Sequence, residues 1–266
     1  MEGVKIASRN NSFFKRLVKV SGPRGVKKSG YTLLYGARQV GEILRDFPDL
    51  CEALVLKEGR KISGLAVPAG LPLYRLSPAL FREVDIFGTG GPVLLLRAPR
   101  LDKWDPGHWP RGCTLFVPFQ DPANVGAVIR AGAAFGVPRV VLLEESAHPF
   151  HPKCLRAAGS CLFRVPLVKG PSIKALMEPE NPVVALSPSG KDIRSFCFPP
   201  VFGLLPGLEG PGLPGGMDHL ETVGIPMVPG VESLNAAMAT GIALFLWRFG
   251  KDGWERTVET FVKNTS

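Results

Sequence analysis

The chain has 266 residues, which suits about two domains, and its 45% hydrophobic and 21% charged residues are typical of a globular protein, not a disordered or fibrous one. Its net charge of +9 is uneven: residues 1–100 hold 17 Lys and Arg against 8 Asp and Glu, whereas residues 101–266 hold 15 of each. This asymmetry predicts a region that binds a polyanion, joined to a neutral region.

The first hundred residues predict a small alternating α/β domain. SFFKRLVKV predicts a short basic helix and YTLLYG a strand. GARQVGEILRDF predicts a helix with Val40, Ile43, Leu44 and Phe47 on one side. ALVLK, LPLYR and VLLLR predict further strands, and Ser77-Pro78 opens another helix. Residues 101–111 lack periodicity and contain several helix breakers, which predicts a linker.

Residues 112–250 predict a second domain with a mostly parallel sheet covered by helices. The strands TLFVPF, RVVLL, FRVPLV, PVVALS and VFGLLPG alternate with helical stretches at 125–135, 153–158 and 172–177. A final helix at about 233–249 is apolar almost all round, which indicates burial in a core or a subunit interface. Residues 251–266 are expected to form a tail.

Several functional classes lose support from the sequence. The amino terminus lacks the apolar core of a signal peptide, and the longest apolar stretch is shorter than the ~18 residues of a membrane helix, so we expect a cytoplasmic protein with no membrane partner. Five cysteines without CxxC spacing indicate buried free thiols. Prolines follow His148 and His151, so no helix can present them as a pair, and we expect no metal.

One glycine pattern is misleading. Gly210, Gly212 and Gly215 match G-x-G-x-x-G, but Pro211 and Pro214 prevent the helix that a dinucleotide site needs. The sequence also contains no Walker loop, no G-x-S-x-G and no HExxH motif.

Three loops at strand ends carry the informative residues. In DPANVGAVIRAGAAFG, small residues surround Arg130, the only charged residue of a predicted helix. This helix could pack closely against a partner and present one guanidinium. Alternatively, it is an ordinary packed helix whose Arg130 forms a salt bridge. LLPGLEGPGL offers backbone groups to a flat ligand, with Glu209 as its only charged side chain, or forms a rigid surface turn. In IPMVPGVESLNAAMA, Ser233 suits a helix N-cap, whereas the Asn235 amide needs partners in an apolar helix.

Taken together, NVGAVIRAGAAFG, GLEGPGL and IPMVPGVESLN, in this order and spacing, resemble the three motifs of the SpoU/TrmH family of RNA ribose methyltransferases. The resemblance covers about 112–249, and the basic first domain is similar to a substrate-binding domain often fused ahead of it. It implies an α/β fold with a deep trefoil knot at its carboxyl end, which binds S-adenosyl-L-methionine. It also implies an obligate homodimer, with Arg130 and the final helix near the partner subunit.

The resemblance also implies site residues. The catalytic positions would be Asn124, Arg130, Glu209, Ser233 and Asn235. The cofactor positions would be Leu186, Leu205, Gly207, Glu209, Ile225, Met227, Leu234 and Asn235. The RNA would meet basic residues of the first domain, namely Arg9, Lys15, Arg16, Lys19, Arg24, Lys27, Lys28 and Arg38. The sequence departs from the family where Tyr35 precedes Gly36, because relatives usually have Glu there.

The implied reaction is attack of an RNA ribose 2′-hydroxyl on the methyl group of the cofactor, with large-subunit ribosomal RNA as the expected substrate. A tRNA 2′-O-methyltransferase and a non-catalytic RNA-binding or ribosome-assembly protein of the same fold are the alternatives. Because a guanidinium carries a permanent positive charge in proteins, we expect Arg130 to clamp phosphate and steady developing negative charge. Phe13, Phe14 and Arg38 could stack on bases, or the two phenylalanines could belong to the core.

Overall fold

A computed structural model describes residues 3–22, 24–61, 64–176, 180–208, 212–217 and 219–250. The chain divides into two compact units: unit 1 comprises Met1–Arg100 and Phe150–Ser160, and unit 2 comprises Leu101–Pro149 and Cys161–Ser266. Both units combine helices with a sheet, so the predicted α/β class is confirmed. The predicted tail, 251–266, lies outside the described residues.

The described ranges contain the following elements. The strands are β1 (Val4–Ile6), β2 (Tyr31–Tyr35), β3 (Cys51–Lys57), β4 (Leu73–Leu76), β5 (Val93–Arg97), β6 (Gly112–Val117), β7 (Arg139–Leu142), β8 (Leu167–Lys169), β9 (Val183–Asp192), β10 (Val201–Leu205) and β11 (Glu221–Gly224). The helices are α1 (Ser12–Ser21), α2 (Gly25–Ser29), α3 (Ala37–Asp46), α4 (Pro78–Val84), α5 (Pro122–Ala134), α6 (Pro152–Ala158) and α7 (Ala236–Phe249). Short 3-10 helices occupy Pro48–Leu50, Gly159–Phe163, Ile173–Leu176 and Ile193–Ser195.

Unit 1 has a five-stranded sheet in the order β1-β4-β3-β5-β2, in which β5 runs antiparallel to both of its neighbours. Helix α1 packs on it because Phe14, Leu17 and Val20 recur at intervals of three residues and are all buried. The sequence missed β1 and α2. Strand β1 has only three residues and α2 only five, too few to show a period.

Unit 1 also contains an eleven-residue segment from the second half of the chain, Phe150–Ser160, which the sequence had placed in the domain of residues 112–250. The Thr32 hydroxyl donates to the Phe150 carbonyl (2.7 Å), and Gln39 Nε2 donates to the Arg156 carbonyl (2.9 Å). The apolar residues of this segment are buried, namely Phe150, Cys154, Leu155 and Ala158. We call Phe150–Ser160 the returning segment.

Loss of the Phe150 ring should therefore destabilise unit 1. Phe150 is 2% exposed, so we expect Phe150→Ala to lower the free energy of unfolding by about 3–5 kcal/mol. Hydrogen–deuterium exchange resolved by peptide should show lost protection in β2 and β5, with β6 and β10 largely protected. Ile86→Ala, at a side chain of the same unit that is 45% exposed, is the control. Equal loss of protection in β6 and β2 would contradict the assignment.

Unit 2 has a six-stranded sheet in the order β11-β9-β10-β6-β7-β8, with all neighbouring strands parallel, as the sequence predicted. Residues 101–111, predicted as a linker, belong to this unit. Trp104 and Trp109 pack on Phe116 with ring centroids 5.2 and 5.6 Å apart, which explains the difference. The helix predicted at 172–177 is the 3-10 helix Ile173–Leu176, and Met177 lies outside the described residues.

Strand β11 was not predicted from the sequence. Its pairing with β9 is interrupted. Thr222 pairs with Ala185, but Val223 pairs with Lys191, so residues 186–190 of β9 loop out. A Cβ on Gly224 would lie 2.8 Å from the Ser187 carbonyl oxygen and 3.1 Å from that of Gly190. Only glycine lets the end of β11 pass this loop so closely. The trefoil knot stays a prediction.

The cysteines differ from the expectation of burial. All five are free, but only Cys113 and Cys154 are buried, whereas Cys197 is exposed and Cys51 and Cys161 are half-buried. Burial raises the pKa of Cys113 and Cys154 well above the usual thiol value, so neither is a nucleophile at neutral pH.

Over the described ranges, no helix is long and apolar enough to span a bilayer, and no group of three or more His, Cys, Asp or Glu could hold a metal ion.

Candidate functional site

A cavity of about 520 Å³ opens in unit 2. It lies beyond the carboxyl ends of β6, β10 and β11, the edge at which open parallel sheets usually bind ligands. All three loops singled out in the sequence reach it: Asn124 at the start of α5, Gly207 after β10, and Ile225 after β11. The cavity therefore brings together residues that lie more than a hundred positions apart in the chain.

Six of the predicted cofactor positions line this cavity. They are Leu186, Gly207, Ile225, Met227, Leu234 and Asn235. Leu205 does not line the cavity, because its side chain is fully buried in a hydrophobic cluster with Phe116 and Val183. Glu209 lies outside the described residues.

The predicted catalytic residues are divided. Asn124, Ser233 and Asn235 line the cavity. Arg130 does not, since it lies six residues beyond Asn124, about one and a half turns along α5, and is exposed. Within the part of the chain that the structure describes, Arg130 forms no ion pair. Its guanidinium is thus available to an anion from outside the cavity.

The wall after β10 includes Gly207 and a hydrogen-bonded pair of residues, Leu208 and Gly212. The Leu208 N–H donates to the Gly212 carbonyl (2.7 Å) and the Gly212 N–H donates back (3.1 Å), which closes a tight turn. Gly207 lies against this turn, so that a Cβ there would be 2.9 Å from the Gly212 carbonyl carbon. Gly212 has a φ of +75° and no helix follows in 212–217, which excludes the dinucleotide interpretation of these glycines.

The start of α7 differs from the simplest expectation. Asn235, not Ser233, is the N-cap: the Met238 N–H donates to Asn235 Oδ1 at 3.1 Å. Asn235 Nδ2 in turn donates to Asn124 Oδ1 at 3.3 Å. The amide therefore has the partners that an apolar helix demands of it. This bond joins the first and third loops at the cavity.

Sequence reasoning missed some lining residues. Asp121 faces the cavity and caps α5 by accepting the Ala123 N–H (3.0 Å), and its signal was the Asp-Pro pair that starts many helices. Ser187 and Pro188 also line the cavity from the loop in β9. No sequence signal marked them, because they continue what reads as an ordinary strand.

The basic residues predicted to meet RNA fall into two groups in unit 1. Three are held by carboxylates: Arg9 by Glu83 (2.6 Å), Arg16 by Glu52 (3.3 Å) and Arg38 by Glu42 (3.2 Å). The other five are exposed and have no ion pair among the described residues. They are Lys15, Lys19, Arg24, Lys27 and Lys28, which we call the α1–α2 cations.

The aromatic candidates belong to the core instead. Phe14 is buried, and Phe13 stacks on Tyr74 with ring centroids 3.7 Å apart. Tyr35, where relatives usually have Glu, is buried as well and donates its hydroxyl to the Val84 carbonyl (3.1 Å). Burial, and second the charge of Asp85, raises the pKa of Tyr35 above its ordinary value. The departure at position 35 thus changes packing, not an exposed recognition group.

Comparison with known proteins gives the family. The model of the SpoU rRNA Methylase family matches residues 114–245. "Ribosomal RNA small subunit methyltransferase G 2" of Syntrophobacter fumaroxidans is 48% identical over 91% of this chain, but the chain spans about half (49%) of that protein's length. "23S rRNA (guanosine(2553)-2'-O)-methyltransferase RlmP" of Bacillus subtilis is 27% identical over 91% of this chain and 98% of the relative.

Solved structures share the fold. The SpoU methyltransferase AviRb from Streptomyces viridochromogenes, in complex with AdoMet, gives a TM-score of 0.73 at 24% identity over 89% of this chain and 96% of that one. An AdoMet-bound rRNA methyltransferase from Sinorhizobium meliloti gives 0.72 at 21% identity over 92% and 97%. The three motifs meet at one cavity, and the domain of residues 114–245 belongs to the SpoU rRNA Methylase family.

Proposed function

We propose that the protein is an S-adenosylmethionine-dependent RNA methyltransferase that modifies a ribose 2′-hydroxyl, with large-subunit ribosomal RNA as its substrate in the cytoplasm. The observation that carries the proposal is the cavity, where the Gly207 backbone turn meets Asn124, Ser233 and Asn235. For the substrate we rely on the Bacillus relative, which is matched over 98% of its length and is named for 23S rRNA. The Syntrophobacter name describes a protein about twice as long.

The cavity residues fit the cofactor. The cavity's volume of about 520 Å³ lies within the ~300–1,000 Å³ typical of small-molecule sites. Leu186, Ile225 and Met227 supply an apolar wall suited to a purine, and the Gly207 turn lets a flat ring approach the backbone. Ser233 and Asn235 add hydrogen-bonding groups to this wall. These residues would hold the cofactor mostly by shape and backbone contact.

The chemistry requires positioning more than acid–base strength. The cofactor supplies an electrophilic methyl group when it is bound. Asn124 and Ser233 would orient the ribose, which converts a bimolecular attack into one of fixed geometry. The guanidinium of Arg130 would hold an RNA phosphate and stabilise the negative charge that the 2′-oxygen acquires as its proton passes to solvent.

A homodimer follows from exposed apolar surface on α5 and α7. Ala127 and Ala134 flank Arg130 on the exposed side of α5. On α7, Met238, Phe245 and Phe249 are 58%, 49% and 38% exposed, and both phenylalanines contact Phe135 edge-on. A helix this apolar needs cover, and we propose that a second copy of the chain supplies it. Arg130 would then lie at the interface.

Unit 1 would supply RNA affinity through the α1–α2 cations. We expect Lys27→Glu/Lys28→Glu to weaken rRNA binding about tenfold and to flatten its salt dependence, because fewer counterions are released. Lys57→Glu/Lys61→Glu, at exposed positions of the same unit, is the control with an equal charge change. Filter binding between about 50 and 200 mM KCl measures both. Equal losses in the two variants would leave only an effect of net charge.

Methyl transfer itself is tested with labelled S-adenosylmethionine and purified RNAs. Label in 23S-type RNA, mapped to a 2′-O-methyl group by primer-extension stops at low dNTP, is the expected result. Label confined to tRNA would replace the substrate. No label in any RNA, together with retained RNA binding, would favour the non-catalytic alternative. We use point variants and no deletion of residues 1–100, because such a deletion would expose the buried face of the returning segment.

A further inference from the structure

We infer that the α1–α2 cations bind double-stranded RNA by its phosphates, without reading bases, so that unit 1 holds a stem of the RNA substrate. This inference deepens the proposed function and rests on it, because it names the class of RNA structure that unit 1 recognises. Three features of unit 1 carry it: a fixed array of charges, neighbouring carboxylates that pair with other cations, and aromatic rings that are packed and not exposed.

The α1–α2 cations lie on two helices whose backbones are packed against each other. A Cβ on Gly25 would lie 2.1 Å from the Val20 carbonyl oxygen, so only glycine lets α2 begin so close to the last turn of α1. Lys15 and Lys19, four residues apart on α1, lie on the same side of that helix with about 6 Å of axial rise between them. This packing holds the charges of α1 and α2 at fixed spacings, which favours a ligand whose phosphates are also fixed.

The neighbouring carboxylates do not neutralise this array. Residues 3–41 contain no Asp or Glu, so a carboxylate can only come from elsewhere in the chain. Two that reach this region pair with arginines, Glu83 with Arg9 and Glu52 with Arg16. The α1–α2 cations are exposed and form no ion pair among the described residues, so their charges are available to a polyanion.

Unit 1 has no exposed aromatic ring in the described part of the chain. It contains no Trp, and all of its Phe and Tyr side chains are buried or half-buried. Near the array, Phe13 stacks on Tyr74 with ring centroids 3.7 Å apart, and the Arg16 guanidinium lies over the Tyr31 ring, 4.1 Å from its centroid. The rings nearest the α1–α2 cations are thus already stacked within the protein.

Stacking groups distinguish the two forms of RNA. Proteins that bind single-stranded RNA stack its bases on aromatic rings or guanidinium planes, whereas double-stranded RNA is recognised by its shape and by contacts to phosphates and 2′-hydroxyls. Four of the α1–α2 cations are lysines, whose ammonium groups are point charges without a plane for a base, and Arg24 is the one guanidinium of the set. The array therefore matches the phosphates of a stem and lacks the stacking groups that an unpaired strand requires.

The experiment measures the binding of the full chain to RNAs that carry equal numbers of phosphates. The probes are a duplex of about 16 base pairs, the length that double-stranded RNA-binding domains span, a second duplex of shuffled sequence, and an unstructured single strand of twice that length. We expect the two duplexes to bind equally within about twofold, and at least about tenfold more tightly than the single strand, because a duplex holds its phosphates fixed and releases more counterions per contact.

Two charge-reversal variants assign the preference to the array. Lys27→Glu/Lys28→Glu should lower duplex affinity about tenfold and single-strand affinity less than about threefold. Lys57→Glu/Lys61→Glu, the control with an equal charge change, should lower duplex affinity less than about threefold. Circular dichroism confirms that both variants are folded.

Four results would each overturn the inference. They are a single strand that binds as tightly as the duplexes, an equal fold-loss for both forms of RNA in Lys27→Glu/Lys28→Glu, equal losses of duplex affinity in the two variants, and a tenfold change of affinity when the duplex sequence is shuffled. These measurements need no cofactor. If the chain transfers no methyl group to any RNA, the proposed catalysis fails, while the comparison of duplex with single strand still decides this inference.

Discussion

Arg130→Ala should lower kcat for methyl transfer by about 10²–10³-fold, the cost of removing one group that stabilises developing negative charge. The dissociation constant for S-adenosylmethionine should stay nearly unchanged, because Arg130 does not line the cavity. Folding should also tolerate the change. The side chain is exposed and forms no ion pair in the described part of the chain, so its truncation leaves no buried partner unsatisfied.

Single-turnover kinetics with calorimetry of cofactor binding would measure both quantities. Arg111→Ala, at an exposed position of the same unit, is the matched control and should retain kcat. Arg130→Lys should recover only part of the rate, because an ammonium keeps the charge but cannot form the two parallel hydrogen bonds of a guanidinium to phosphate. A cofactor affinity that falls as much as kcat would contradict the role given to Arg130.

Gly207→Ala, unlike Arg130→Ala, should strongly weaken cofactor binding. The added Cβ would lie 2.9 Å from the Gly212 carbonyl carbon and 3.0 Å from its Cα, both backbone atoms that cannot rotate away. The turn closed by Leu208 and Gly212 must therefore shift, and with it the backbone wall of the cavity. We expect the cofactor dissociation constant to rise at least about a hundredfold.

Gly215→Ala is the matched control, because a Cβ there meets nothing within 4 Å. Calorimetry of the two variants, with circular dichroism to confirm that both are folded, makes the comparison. Cofactor binding by Gly207→Ala equal to that of Gly215→Ala would show that the turn is not part of the site.

Local patterns in the sequence carried most of the fold. The alternation of apolar strands with helical stretches predicted the parallel sheet of unit 2, and the segment SFFKRLVKV predicted α1. The packing partner of Phe150–Ser160 could not be predicted in this way. An apolar face predicts that a segment will be buried, but it does not predict against which sheet. The choice of sheet depends on contacts with residues more than a hundred positions away in the chain.

The site was predictable where the three loops carry unusual residues, and less so elsewhere. Asn124, Gly207 and Asn235 reach one cavity, as the motifs indicated. Leu205, which the resemblance implied as a cofactor position, is fully buried and does not line the cavity, so its role stays a prediction. Ser233 and Asn235 are equivalent as N-caps on propensity alone, and only the partner on α5 distinguishes them.

The returning segment affects how the chain can fold during synthesis. Domains usually fold one after another as the ribosome releases them. Unit 1 cannot complete its core in that order, because the hydrogen bond from Thr32 and the packing around it require Phe150 and the helix that follows it. The stretch of unit 2 from Leu101 to Pro149 is released in between. A nascent chain stalled before residue 150 should expose the apolar surface of unit 1 to chaperones, and one stalled well after residue 160 should bury it.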